Sequence, residues 1–158
     1  MDYDDGKLRV RKSTKADAYG IAVNMRQSDR NEIWASNHLD PIDALKKGIE
    51  LSVYCRTIEN GKPIAMFGIC PRDILGTSAT IWMLATDDLN KINMRFLRHS
   101  KEFVNAMLDY YEYLENYVDV RNQKSIEWLT FLGAKFDEPA PYGVEGRMFQ
   151  HFSFTKGK

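Results

Sequence analysis

Apolar residues recur along this chain in two periods, and the switches between them divide it into elements. Leu8 and Val10 alternate with Arg9 and Arg11, the pattern of a strand with one buried face. Ala18, Ile21, Ala22 and Met25 follow at helical spacing. Ser13 or Thr14 stands where a cap is needed, and Asp17 falls in the first turn, where the helix dipole favours negative charge. Gln27 to Asn31 is polar and reads as a turn or a looser helical continuation, while Glu32 to Ser36 fits no single period. Asp40-Pro41 predicts a cap and a proline in the first turn of a helix whose apolar face is Ile42, Leu45 and Ile49. Lys46, Lys47 and Glu50 take its wet side.

The period then shortens. Ser52 to Ile58 reads as a strand, Asn60-Gly61 as a hairpin turn with two positive φ angles, and Pro63 to Cys70 as the returning strand. Pro71 to Ser78 is a loop, and the nearly continuous apolar run Ala79 to Ala85 predicts a central strand. A long helix is expected from Asp87 and Asp88 onward, with one broad face of Ile92, Phe96, His99, Phe103, Met107, Tyr110 and Leu114. The stretch around which the rest is organised comes next. Tyr117, Val118 and Val120 favour a strand. Asn122 caps a helix whose stripe is Ile126, Leu129 and Leu132 with Trp128 beside it, and Gly133 ends it. Lys135 and Phe136 begin another strand, Pro139 to Gly146 is turn-rich, and Arg147 to Thr155 is a last strand with Met148, Phe152 and Phe154 on one side.

This order predicts an α/β (α+β) domain spanning residues 1–158, with a mixed, mostly antiparallel sheet of about six strands and helices on both faces. Residues 1–6 read as a frayed leader and 156–158 as a loose end. Zero net charge argues against a polyanion binder, and the basic clusters Lys7 to Lys15 and Lys156 to Lys158 read as solvated faces, so no nucleic acid is expected. With 44% hydrophobic residues in no long run, and an acidic start, neither a membrane span nor a signal peptide is expected. Cys55 and Cys70 read as buried thiols, not as a disulfide or metal framework. His38, His99 and His151 are scattered without a partner visible in the sequence. Glu32 reads as a solvated carboxylate, with general base as its functional alternative.

The element order, together with Asn122, Ser125, Ile126 and Gly133, resembles the GCN5-related N-acetyltransferase (GNAT) fold, although Ala134 replaces that family's phenylalanine. More closely, the chain resembles the acetyltransferase-like internal virion proteins of short-tailed phages, the group containing internal virion protein A. The pieces that carry this are Arg9 to Lys15, Trp82 to Asp87, Asn116 to Val118, Ser125-Ile126, Leu132 to Ala134 and Phe152 to Gly157. The resemblance implies a virion-associated protein of assembly or DNA ejection, with other phage proteins as partners. It would be found in the virion, and in the host cytoplasm during assembly. It leaves oligomeric state and copy number open.

The acetyltransferase resemblance also implies two devices that the residues do not supply. A glycine-rich turn should cradle the cofactor's pyrophosphate, yet Thr86 to Met94 contains no glycine and offers Asp87 and Asp88, with Lys91 as partial compensation. A tyrosine should protonate the departing thiolate, yet Leu129 holds that place. Tyr110, Tyr111 and Tyr113 read as packing residues. The expectation is therefore a catalytically degenerate GNAT fold with no catalytic residue, no metal and no cofactor. The alternative is a divergent acetyl-CoA-dependent N-acetyltransferase acting on a protein or small amine. In that case Leu84, Ala85, Thr86 and Asn122 would contact the cofactor. A third reading, an inhibitor of a host enzyme, lacks the acidic surface run that a nucleic-acid mimic would show.

Overall fold

A computed structural model of the chain describes residues 2–92 and 94–157. It opens with strands β1 (Tyr3–Asp4) and β2 (Arg9–Lys12), then helices α1 (Lys15–Val23), α2 (Gln27–Asn37) and α3 (Pro41–Leu51). Strands β3 (Tyr54–Glu59), β4 (Pro63–Pro71) and β5 (Ser78–Ala85) follow, then a 3-10 turn at Asp87–Lys91 and helix α4 (Met94–Leu108). Strand β6 (Tyr113–Asp119), helix α5 (Gln123–Leu132) and strands β7 (Lys135–Phe136), β8 (Ala140–Tyr142) and β9 (Arg147–Thr155) complete it. The strands form one sheet in the order β1-β2-β3-β4-β5-β6-β9-β7, with β8 on β9. All pairings are antiparallel except β5 with β6.

The sheet is central because β4 is buried on both faces: Met66 packs with Ala18, Ile21 and Leu45 of α1 and α3, and Phe67 packs with Phe103 of α4. Helices thus cover both faces, as the pattern implies. Local chemistry acts where expected at several boundaries. Thr14 and Asp17 form a reciprocal capping box at α1, Asn122 accepts from the Ser125 N–H at α5, and Gly133 closes α5 with φ +95°. Asp40 occupies the N-cap of α3 and Pro41 its first turn, but the Asp40 side chain makes no capping bond. Arg11 binds Asp17 at 2.8 and 2.9 Å and Glu59 at 2.9 and 3.1 Å, tying β2 to both α1 and β3. Burial pushes the Asp17 carboxyl up, but bonds from Arg11, the Thr14 N–H and Thr57 outweigh it and hold the group below its usual range.

Several expectations are corrected. Among the described residues the sheet has nine strands, because the short pieces β1, β7 and β8 add to the six or so expected and leave it mixed and mostly antiparallel as predicted. The leader is not frayed along its length: β1 pairs with β2, and the Tyr3 ring packs at a tilt against His99 at 4.2 Å and edges onto Phe96 at 5.5 Å. Residues 27–37 are a helix. The long helix begins at Met94, after the 3-10 turn that holds Asp87 and Asp88, and ends at Leu108. Tyr110 is therefore exposed beyond it, and Leu114 belongs to β6, fully buried between β5 and β9. The Asn60-Gly61 hairpin forms, but only Gly61 of the pair has positive φ, and a register shift between Ile58 and Glu59 absorbs the difference. On β9, Met148 shares the parity of Phe152 and Phe154 but is exposed, while Phe149 is buried on the other face against Tyr142. At the end of the chain the Lys156 N–H donates to Glu112 O at 2.9 Å. Met1 and Lys158 lie outside the described residues, as does Asn93 of the Thr86–Met94 stretch.

Candidate functional site

Parallel pairing of β5 with β6 lasts only from Ser78–Tyr113 to Thr80–Glu115, after which the two strands diverge. A split in the middle of a sheet leaves two strand edges whose backbone groups need other partners. In β5 the odd-numbered residues face the split, because Thr86 N–H and Ser78 C=O both bond to the β4 side and alternate residues turn opposite ways.

Those partners come mostly from side chains. Asn116 Nδ2 donates to Ile81 O at 2.6 Å, just where pairing stops. Further along, α2 lies across the opening. Its Asp29 Oδ2 accepts from the Ala85 N–H of β5 at 2.8 Å, and Glu32 Oε1 accepts from the Asp119 N–H of β6 at 2.7 Å. Glu32 Oε2 also accepts from Asn122 Nδ2 at 3.1 Å. Ahead of α2, the Arg26 N–H donates to Ala85 O at 2.9 Å, its guanidinium pairs with Asp29 at 2.8 Å, and Nη2 reaches Ser125 Oγ at 3.3 Å. Carboxylates one helical turn apart thus each replace a missing rung, one on each strand.

Behind them lies a cavity of about 420 Å³ that runs from the α2–α3 side of the sheet through the split to α4 and α5. Its walls are mostly apolar, with Trp82 and Leu84 on β5, Phe103 and Met107 on α4, and Trp128 and Leu129 on α5. No residue of α5 is fully buried, since its stripe faces this space. Trp128 and Leu129 are half-buried: they pack against the core and also wall the cavity.

Burial raises the Glu32 carboxyl to about 7, helped by the charge of Asp29 and opposed by the Asp119 amide and Asn122. Glu32 is therefore not a solvated glutamate: it is half-buried and lines the cavity. Burial also raises Asp29, against the pull of Arg26 and the Ala85 amide. Sequence reasoning missed the pairing of these groups. The available signal was Arg26, Asp29 and Glu32 at spacings of three, which share one face if the polar stretch is helical.

Of the four residues assigned to a cofactor, Ala85 and Asn122 are tied at the split to Asp29 and Glu32, Leu84 lines the cavity, and Thr86 turns to β4; their polar groups already have partners. Leu84 pairs with Met66 in the sheet, and Ala85 is held on both its N–H and C=O. The Thr86 N–H donates to Ile64 O at 2.8 Å, and Asn122 bonds Glu32 and Ser125. Asp88 is paired with Lys62 at 3.2 Å and Lys91 at 3.5 Å and sits on the 3-10 turn, apart from the start of α4. The histidines do not converge on the split. His38 is the left-handed C-cap of α2 and contacts Glu145, and His99 packs on Tyr3. His151, partnerless in sequence, bridges Glu115 at 2.8 Å and Asp137 at 2.7 Å. Cys55 and Cys70 are half-buried free thiols. Among the described residues, no cluster of three or more His, Cys, Asp or Glu is placed to hold a metal, and no helix is long and apolar enough to cross a membrane.

Comparison with solved structures gives the fold. A ribosomal-protein-S5-alanine acetyltransferase from Vibrio fischeri matches all of this chain and 98% of its own, at 14% identity and TM-score 0.69. A spermidine N-acetyltransferase from Vibrio cholerae matches 96% of this chain and 97% of its own, at 14% identity and TM-score 0.67. A GNAT-family acetyltransferase from Bacillus anthracis matches 98% of both, at 10% identity and TM-score 0.68. The architecture is therefore GNAT-like. Sequence leads elsewhere. The "Probable scaffold protein gp13" of Escherichia phage T7 is 34% identical over 143 residues, covering 87% of this chain and 99% of its own length. A family model described as "Bacteriophage T7, probable scaffold protein Gp13" matches residues 58–139, from the end of β3 past β7. The chain belongs to that phage family.

Proposed function

We propose that this protein is a phage assembly component whose acetyltransferase fold serves as a scaffold and transfers no acetyl group. The observation that carries this is the occupation of the split by Asp29 and Glu32. A cofactor that binds as an added strand would need the backbone groups these carboxylates hold, and would bring phosphate charge towards Asp87 and Asp88. The walls beyond offer Trp128 and Leu129, neither of which can give a proton to a departing thiolate. Its partners are other phage assembly proteins, and it acts in the host cell while particles form. In its finer form the proposal places the protein inside the virion, with the internal virion protein A group, and gives it a part in DNA ejection.

The alternative, a divergent acetyl-CoA-dependent N-acetyltransferase, keeps the complete strand and helix order in its favour. The two are separated by following the protein through particle assembly. Purified assembly intermediates and finished virions are probed with an antibody, and the same preparations are assayed for transfer of labelled acetyl to protein and to small amines. Protein in the intermediates without transfer supports the scaffold reading. Transfer that is lost with Glu32→Ala would refute it.

A further inference from the structure

Helix α2 is held in an unusual way. Asp29 and Ala35 are its buried residues, and Ile33, half-buried, packs against the core shared by α1 and α3, so little apolar surface fixes it. Its other ties are polar: Arg26 and Asp29 to β5, Glu32 to β6 and Asn122, Arg26 to Ser125, and Arg30 to the Ala22 and Met25 carbonyls. Polar ties exchange with water at small net cost, roughly 1 kcal/mol each, whereas apolar burial does not. Elements held this way sit at the low-stability end of a fold and open locally. The C-terminal end differs. There Val144 and Glu145 N–H groups donate to Ser36 O at 3.1 Å and Ala35 O at 3.3 Å, and a Cβ on Gly143 would lie 2.6 Å from Ser36 Cα.

We propose that α2 is a releasable bar across the split: its Arg26–Glu32 half lifts away while the Ala35–Ser36 end acts as the hinge, uncovering the Ala85 and Asp119 amides and the apolar cavity behind them. This goes beyond the assembly reading and holds whether or not the cavity takes acetyl-CoA.

The bar carries its own trigger. Glu32 faces Asp29 and Arg26 on its own side, Asp119 and Arg121 at the end of β6, and shares the cavity with Lys47 of α3 and the Tyr117 and Tyr142 phenols of β6 and β8. Asp119 is opposed by burial but held low by Arg121, which binds it at 2.6 Å, so that pair adds little net charge. Asp29 is matched by Arg26. Glu32 accepts from two neutral donors, and among the described residues no cation pairs with it. Its ionisation adds an uncompensated charge to a confined space, and lifting the bar returns that charge to water. The closed state is therefore favoured where Glu32 is protonated and weakens as pH rises through about 7.

Amide hydrogen exchange read by NMR between pH 6 and pH 8 tests this on the full chain. Protection of Ala85 and Asp119, corrected for intrinsic rates, should fall together, by about tenfold across that range. It should also lie well below that of Leu114, which reports the central sheet. In Glu32→Gln the fall should vanish, because the side chain is neutral throughout. The idea is overturned if Ala85 and Asp119 are as protected as Leu114 in the unsubstituted chain, or if the pH dependence survives in Glu32→Gln. The first arm stands even if the variant does not fold.

Discussion

Replacing Gly48 with alanine tests how the cavity wall is built. Gly48 is buried in α3, and a Cβ there would lie 2.6 Å from Trp82 Cζ2 and 2.7 Å from Cη2. Carbon atoms pack at roughly 3.5–4.0 Å, so the indole would have to retreat by about 1 Å. It has little room. Its Nε1 donates to Ser52 Oγ at 2.8 Å, and from the other side Gly68 approaches it so closely that a Cβ there would lie 3.2 Å from Nε1. The opposing effect is helix propensity, which favours alanine by about 1 kcal/mol. Overpacking a fixed core costs about 1–3 kcal/mol and the strained indole hydrogen bond about 1 more, so the net loss should be about 2 kcal/mol. Urea unfolding followed by circular dichroism reads this as a lower midpoint with an unchanged slope. Gly20→Ala is the internal control. It lies exposed in α1, and its Cβ would meet only Pro63 at 3.9 Å, an ordinary contact, so it should gain up to about 1 kcal/mol. If Gly48→Ala is as stable as the unsubstituted chain, or matches Gly20→Ala, the account of Trp82 as a fixed wall is wrong.

Other consequences can be measured in the same way. Asp17→Asn weakens the charge-assisted bonds from Arg11, the Thr14 N–H and Thr57, so it should cost about 2 kcal/mol at pH 7. That stability is present above the unfolded value of 3.8 and is lost as pH falls through the folded one, so the two chains should converge in acid melts. Asn122→Ala removes the α5 cap and one bond to Glu32, and should cost about 1–2 kcal/mol in chemical unfolding. A cost as large in Gln123→Ala, whose side chain is exposed, would show that the cap is not the cause.

The sequence carried the sheet's centre and the starts of α1, α3 and α5 well, because those depend on local chemistry. Asn122, Gly133 and Asn60-Gly61 each act through backbone angles or bonds within a few residues. Helix α2 was illegible for the opposite reason. Its fully buried residues are a carboxylate and an alanine, so no apolar period marks it, and Glu32 finds its partner 87 residues away in sequence. Leu114 misled because a strand residue happened to continue the helical spacing of Met107 and Tyr110. At the split, Ala85 and Asn122 are tied to α2, while Thr86 bonds to Ile64 of β4. The spacing of Arg26, Asp29 and Glu32 hints at one helical face, but which backbone groups that face answers depends on tertiary geometry.

We propose that the split is closed from within by Asp29 and Glu32 and takes no acetyl-CoA. Thermal melting of the full chain with millimolar acetyl-CoA, and with CoA as a control, tests it most directly. A ligand present at 100 times its dissociation constant would add about 2.7 kcal/mol to the native state. The account predicts superimposable melts with and without either compound. A concentration-dependent rise in melting temperature would contradict it and return the protein to the acyltransferases.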